Sequence, residues 1–581
     1  MDDTEAAKLP EFFKNWAVIN GRCCDPKEGP DTIGRLRYKG CKVWTYRCVQ
    51  FMTRHRIRRF VRDGVGDISM AQICPRRRRG RLGLAEIGLA YGVTRPFPII
   101  CRRPPYGTMV GHMQKESTAT AALDARFFAP LRRRRTRRVG VELEFPVWNR
   151  APGAATDFAA VHAATDEFLS RHPFSEQTRD DEDAIYRAAD PATGDELSFD
   201  CSYNTLELSF GPGESLVETQ RRFATYHATL QEAFGRHGHA LTGMGINPRW
   251  QENRPDPIGS GRYRMLLHHL KSYSKYGGSP RFHDHPEFGL FSCASQTQVD
   301  VDEETVVPLI NAFNLLEPFK AVLFANSPFG ARNETLCGRD SLWSRSLHGL
   351  NPHNCGMYGV TLRSAADIVG YLESTSIYCV ERGERYINFA PVPLRDYLEM
   401  GTVVGEYWDG NAKCHRKCLI APSPVDVAWL RPFKFEDLTQ RGTVEFRSVC
   451  EQPVREAFAA AAFHAGLAER VDRLAELLAY DTVLYGHGYG AAELRGLTIR
   501  REWPSFIDRK ALVVQLQRIL DFAEEGLARR GFGEEPLLAP LRRRADTLVS
   551  PAREQVERLE RGESLESIAA DYGSLEEARH A

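Results

Sequence analysis

Val139-Gly140-Val141-Glu142-Leu143-Glu144-Phe145 alternates apolar and acidic residues. Alternation with a period of two belongs to a β-strand, whose successive side chains point to opposite faces. Val141, Leu143 and Phe145 then share a face that seeks a core. Glu142 and Glu144 share the other face, about 7 Å apart along the strand. Alternating glutamates are most often a solvated face. In a cleft, the same two carboxylates are costly unless cations neutralise them.

Working outward, Leu197-Ser198-Phe199-Asp200 and Leu206-Glu207-Leu208-Ser209-Phe210 read as two strands joined through Cys201 to Thr205, with Gly211-Pro212-Gly213 ending the unit. Such a hairpin brings Asp200 and Glu207 toward one end of a common surface. Val444 to Val449 reads as a further strand, on which Glu445 and Arg447 repeat the i, i+2 logic. These acids and this arginine have a possible common focus. Magnesium takes hard oxygen ligands and commonly holds substrate phosphates as well, and the planar fork of arginine matches phosphate oxygens.

Helical spacing runs from Leu216 to Phe234, with a stop near Gly235 and Gly238. Glu303 to Phe324 is a second helical stretch, and Arg455 to Leu478 reads as one long alanine- and leucine-rich helix. From Ala511 onward the pattern is helical again, with Gly531 a stop after Arg530. The expected class is α+β: antiparallel strands that carry acidic side chains, covered by helices and followed by a helical C-terminal region.

The first part of the chain reads differently. Residues 1-112 carry the run Arg76-Arg77-Arg78-Arg79, scattered cysteines and little sustained periodicity, so they are expected to be disordered or the product of a mis-assigned start. Residues 113-137 form a basic lead segment, residues 138-455 a catalytic domain and residues 456-581 a helical region. At 581 residues the chain has room for roughly two to four domain-sized units. Lysine plus arginine (77) nearly cancels aspartate plus glutamate (76), which argues against nucleic acid or an anionic membrane recruited by whole-chain charge. No apolar run of about 18 residues is evident, and the acidic N-terminus is unlike a secretory signal. A cytoplasmic location is expected, in which the 14 cysteines stay reduced. Cys23, Cys24, Cys41, Cys48, Cys74 and Cys101 lack the paired spacing of a zinc site. The glycine-rich Gly486-His487-Gly488-Tyr489-Gly490 is no P-loop. His268-His269 and His283-Asp284-His285 suit magnesium poorly.

These motifs, in this order, resemble the glutamate-cysteine ligase family, the plant and bacterial type with a glutamine-synthetase-like catalytic fold, which implies an antiparallel β-sheet funnel carrying metal-binding acids. Val139 to Phe145 is similar to the family's opening metal-binding strand, and Asp200 with Glu207 to its second metal segment. Ser295-Gln296-Thr297-Gln298-Val299-Asp300 resembles the strand that places a histidine or glutamine facing the metals, here Gln298. Leu323-Phe324-Ala325-Asn326-Ser327-Pro328 follows a helix as in that family. Glu445-Phe446-Arg447 is similar to its closing strand. Gly261-Arg262-Tyr263 and Arg339-Asp340-Ser341-Leu342-Trp343 also stand in order, and the likeness spans residues 138 to 470. It implies Glu142, Glu144, Asp200, Glu207, Gln298 and Glu445 at the metals, Glu445 and Arg447 in catalysis, and Arg447, Arg262 and Arg339 on nucleotide or substrate anions. Two places depart from the pattern. Asn354-Cys355-Gly356 stands where the plant-like branch has Arg-Thr-Gly, and Ser376-Ile377-Tyr378 replaces an apolar-proline step.

The implied reaction uses ATP and Mg2+. ATP phosphorylates a carboxylate, usually the side chain of glutamate, and an amine such as cysteine displaces the phosphate to form an amide. The expected partners are therefore small amino acid substrates. Three alternatives are open: the same chemistry on another acid and amine, a basic nucleic-acid-binding protein resting on the arginine runs, and a non-catalytic scaffold.

Overall fold

The computed structural model describes residues 118–133, 137–276, 282–330 and 332–576. The reading of residues 1-112 falls outside them, as does part of the basic lead segment. The strands run in chain order as β1 (Val139–Asn149), β2 (Glu176–Arg179), β3 (Ile185–Ala189), β4 (Glu196–Phe199), β5 (Thr205–Gly213), β6 (His239–Leu241) and β7 (Ser295–Asp300). There follow β8 (Cys355–Gly356), β9 (Ser376–Arg382), β10 (Arg385–Pro393), β11 (Val403–Asp409), β12 (Cys414–Ile420), β13 (Phe433–Lys434), β14 (Glu436–Leu438) and β15 (Thr443–Phe446).

A nine-stranded sheet has the order β14-β15-β7-β1-β5-β4-β3-β2, with β6 paired to the end of β1. Every pairing in it is antiparallel and the sheet is open, not a closed barrel. Strands β9 to β12 form a separate four-stranded sheet, and β8 pairs with β13 in parallel. The antiparallel α+β class expected from the alternation is what the chain adopts.

The alternation on β1 fixes which face is which. Val141, Leu143 and Phe145 are buried on one side, where Phe145 stacks on Phe223 of the helix Leu216–Arg236 with ring centroids 5.8 Å apart. On the same side Phe446 of β15 meets Phe313 of the helix Val306–Phe324 and His464 of the helix Phe458–Ala468, each at 4.3 Å. Buried aromatic pairs of this kind supply much of a core's apolar area. Residues from both sides of position 455 enter this one core.

The helix Val306–Phe324 is long and apolar enough to cross a membrane by length and composition, although Glu317 and Lys320 interrupt its apolar sequence. It lies 72% buried within the protein and carries the buried ion pair Glu317–Lys320, as a core helix does.

Several boundaries differ from the sequence reading: β5 runs through Gly211-Pro212-Gly213, and the helix read from Glu303 begins at Val306. The last strand ends at Phe446, not Val449. Arg455 to Leu478 is not one helix: a short 3-10 turn precedes Phe458–Ala468, and a second helix, Val471–Ala479, begins after Arg470. The first helix is buried almost all round and crosses Arg509–Arg530 where Gly466 meets Gly526, with no room for a Cβ on either. The second buries only Leu474 and Leu478. Continuous helical spacing hides such a change of buried face. Gly531 does end Arg509–Arg530, in the left-handed conformation at φ 77°.

Candidate active site

Strand register decides what the acidic face presents. Glu144 of β1 stands opposite Glu207 of β5, and Glu142 opposite Gln296 of β7. Gln298 of β7 stands between Gly140 and Glu445 of β15, and Glu445 is in turn opposite Asp437 of β14. Because side chains in register share a face, residues from five strands point into the same space. Cys201 adopts a positive φ of 63° and turns the chain between β4 and β5, which leaves Asp200 at the rim. Its Sγ donates to Asp200 Oδ1 at 3.3 Å.

A cavity of about 400 Å³ opens over this face and is lined by Glu142, Glu144, Asp200, Arg262, Arg339, Glu445 and Arg447. Glu207 and Gln298 are not part of this lining and stand in register with Glu144 and Glu445, which are. Gln298 Nε2 donates to Glu142 Oε1 at 2.5 Å and to Glu445 Oε1 at 3.3 Å, while its Oε1 accepts from Thr443 at 3.3 Å. Arg447 Nη1 donates to Glu445 Oε2 at 2.9 Å. Glu144 accepts from the Ala294 amide at 2.7 Å and from Gln296 Nε2 at 2.8 Å. Glu207 accepts from Ser209 Oγ at 2.6 Å. Arg339 gives Nη1 to the Val449 carbonyl at 3.2 Å and keeps a buried Nε without a partner among the described residues.

So many acids in one place disturb one another. Burial, then Asp200, push the Glu144 carboxyl up to about 8. Burial, Glu144 and Asp200 push Glu207 to about 8 as well. Glu142 is raised well above the usual carboxylate range by burial and by Glu445 and Glu207. Burial works against the charge of Arg447, yet Glu445, Asp437 and Glu142 hold its guanidinium above its ordinary value. Burial first, and mutual repulsion after it, leave these carboxyls short of neutralising charge.

That shortage bears on a metal. The donors are hard carboxylate oxygens, which suit magnesium, and a divalent ion would let them ionise. Among the described residues no three His, Cys, Asp or Glu side chains are already gathered into a metal-ion site. The acids form two groups, Glu142 with Glu445 through Gln298, and Glu144 with Asp200 and Glu207. The fit is one of donor chemistry and charge.

Several residues of this face escaped the sequence reading. Gln296 sits two positions before Gln298, so alternation along β7 could have found it. Asp437, raised to about 8 by burial, lines the cavity from β14, and only register brings it there. Glu451, fully buried, accepts from Ser295 Oγ at 3.0 Å and from the Glu144 amide at 3.2 Å. The two departures from the family pattern prove to be one structural unit. Asn354 Nδ2 donates to the Ser376 carbonyl at 2.7 Å and its Oδ1 accepts from the Ser376 amide at 2.8 Å. Cys355 and Tyr378 beside them line the cavity.

Elsewhere, Arg132 pairs with Asp124 and Glu303, and Arg137 pairs with Glu469. These two cations of the basic run are engaged within the protein. His269 is buried and stacks on Tyr378, and Cys201 and Cys293 are buried thiols.

The chain is 24% identical over 368 residues to the chloroplastic glutamate-cysteine ligase of Nicotiana tabacum, covering 61% of this chain and 64% of that protein. The Solanum lycopersicum protein of the same name is 23% identical over 360 residues, with 61% and 64% covered. The chain thus spans less than two thirds of the length of these relatives. Among solved structures, a glutamate-cysteine ligase from Francisella tularensis in complex with AMP matches at 12% identity and TM-score 0.41, covering 77% of this chain and 89% of that one. A bifunctional glutathione synthetase from Pasteurella multocida matches at 13% identity and TM-score 0.37, covering 78% and 52%. The model of glutamate-cysteine ligase family 2 matches residues 138–571, more than half of the sequence, and the chain belongs to that family.

Proposed function

We propose that this protein is an ATP-dependent carboxylate-amine ligase that joins the side-chain carboxylate of glutamate to the amine of cysteine or a related compound through an acyl phosphate. One observation carries the reading: Glu142, Gln298 and Glu445, from three strands, and Arg447 just beyond the last of them are hydrogen-bonded into a single group at a cavity that Glu144, Asp200, Arg262 and Arg339 also line.

In this mechanism a carboxylate oxygen of the acid attacks the γ-phosphorus of ATP and ADP leaves. The amine nitrogen then attacks the acyl carbon and inorganic phosphate leaves. Glu142, Glu144, Asp200, Glu207 and Glu445 would hold magnesium, which when bound neutralises phosphate charge. Arg447, kept charged by its acidic neighbours, directs a fixed guanidinium at the transferring phosphoryl oxygens. Arg339 and Arg262 offer further cations for the substrate anions. Trp343, Trp429 and Phe433 wall the cavity with apolar surface, which favours amine over water at the activated carbonyl.

The acid and amine actually used are open to a second reading, because the Asn354–Ser376 pair and the adjoining Cys355 and Tyr378 shape the cavity wall where the chain departs from the family pattern. Purified protein with ATP, magnesium and a panel of acids and amines, read by phosphate release and product mass, decides between them. Glutamate and cysteine giving γ-glutamylcysteine supports the first reading. Turnover with another pair alone supports the second, and no acid- and amine-dependent phosphate release with any pair rejects both.

A further inference from the structure

The cavity has a wall that the family region does not supply. Residues 118–133 precede the matched segment, which begins at Arg138. They form a short helix, Thr118–Leu123, one wide π-type turn, Asp124–Phe128, and a 3-10 turn, Ala129–Arg132. Wide turns of this kind recur at functional sites. Here the turn puts Arg126 and the buried Phe127 into the cavity lining.

Arg126 is held in place from one end. Its Nη2 donates to the Ala428 carbonyl at 3.1 Å, while its Nε is buried with no hydrogen-bond partner among the described residues. Three residues beyond Ala428, Arg431 also lines the cavity, with its guanidinium 5.4 Å from the centre of the Trp429 ring. Neither arginine has an ion-pair partner among the described residues. Partly desolvating two neighbouring cations without a counter-ion is costly; both are half-buried, and burial lowers the pKa of both. Arg431 depresses Arg126 further, and Arg262 depresses Arg431. The arginine of the reacting face, Arg447, is by contrast surrounded by carboxylates.

We infer that Arg126 and Arg431 form an oxyanion subsite of the reaction cavity, through which the segment preceding the family region selects a substrate carrying an anionic group away from its reacting atom. The inference rests on the ligase reading above. Carboxylate and phosphate share the required chemistry, two or more oxygens matched to a guanidinium fork. The source is the nucleotide, the acid or the amine.

The test is titration calorimetry of the full chain with MgATP, with L-glutamate and with L-cysteine, together with steady-state kinetics on each, for the wild type, Arg126→Ala, Arg431→Ala and Arg126→Lys. Both alanine variants are expected to weaken one of the three ligands by about tenfold or more, with KM rising more than kcat falls, and Arg126→Lys to recover part of the loss. If cysteine is the ligand affected, replacing it with cysteamine, which lacks the carboxylate, abolishes the difference between variant and wild type. Circular dichroism separates folded from unfolded variants, and Arg431→Ala carries the test if Arg126→Ala does not fold. Folded alanine variants that bind all three ligands like the wild type overturn the subsite. A wild type that makes no amide overturns the ligase reading instead.

Discussion

Arg447 and Glu445 belong to one chain segment, two residues apart, and Arg447 Nη1 donates to Glu445 Oε2 at 2.9 Å. The pair makes a cation and an anion available at the same point of the cavity, each oriented by the other. Under the proposed mechanism Arg447→Ala removes both a phosphate-facing charge and the partner that orients Glu445. A fall in kcat of roughly 10²–10³-fold is expected, the scale for losing one oriented donor at a developing charge. Steady-state kinetics check it, and kcat within a few-fold of the wild type would count against the role.

Glu142 and Glu445 share Gln298 as a bridge. Glu142→Ala and Glu445→Ala leave the apolar faces of their strands untouched, so both variants should fold and neither should turn over. MgATP should raise the melting temperature of the wild type and not of the variants. Wild-type turnover in both variants would remove these two residues from the proposed metal site.

Glu144 gives a pH test with a definite sign. Its carboxyl is pushed from 4.5 up to about 8 in the folded protein, so between those values the unfolded chain has released a proton that the native state keeps. Without divalent cation, this group's contribution to stability is complete below about 4.5 and is lost as pH rises toward 8. Glu144→Gln should flatten that part of the slope in melts run with a chelator. The same protonation competes with a bound cation, so magnesium should protect the wild type more at pH 8 than at pH 6. An identical slope in wild type and variant argues that Glu144 is ionised throughout.

Arg495, on the helix Ala491–Thr498, ties the C-terminal helices to the cavity wall. It is 4% exposed and bonds Asp340 Oδ2 at 2.6 Å and the Glu317 carboxylate and carbonyl. Its guanidinium lies 4.7 Å from the centre of the Phe435 ring. Arg495→Ala takes from Asp340 its ion-pair partner and leaves the buried Glu317 carboxylate to its Lys320 ion pair, which should cost about 3–5 kcal/mol of stability, measured by denaturant unfolding. A loss below about 1 kcal/mol, the scale of an exposed pair, would show that the network relaxes without it.

Where helix Phe458–Ala468 crosses Arg509–Arg530, Gly526→Ala places a Cβ against the Gly466 backbone. Overpacking of this kind should destabilise by roughly 1–3 kcal/mol. Unfolding midpoints measure it, and an unchanged midpoint would mean that the two helices separate easily.

What could be read from sequence follows from the range of the signal. The alternation at Val139 to Phe145 is local, so the faces of β1 and the likeness to the ligase family were legible. The convergence of Glu142, Gln298 and Glu445 depends on antiparallel register between strands some 150 residues apart, and the resemblance suggested it where spacing alone did not. Asp437, Glu451 and Arg126 carried no local pattern. Each enters through register or packing: Asp437 opposite Glu445, Glu451 beneath the Glu144 amide, Arg126 against Ala428. The break at Arg470 was hidden because helical spacing continues while the buried face changes.

The acyl phosphate is tested most directly by isotope transfer. With glutamate labelled with ¹⁸O in both side-chain carboxylate oxygens, ATP, magnesium and cysteine, the inorganic phosphate released should carry one ¹⁸O per molecule when examined by mass spectrometry. Phosphate released with no ¹⁸O, alongside the same amide product, would contradict activation of the carboxylate by phosphorylation.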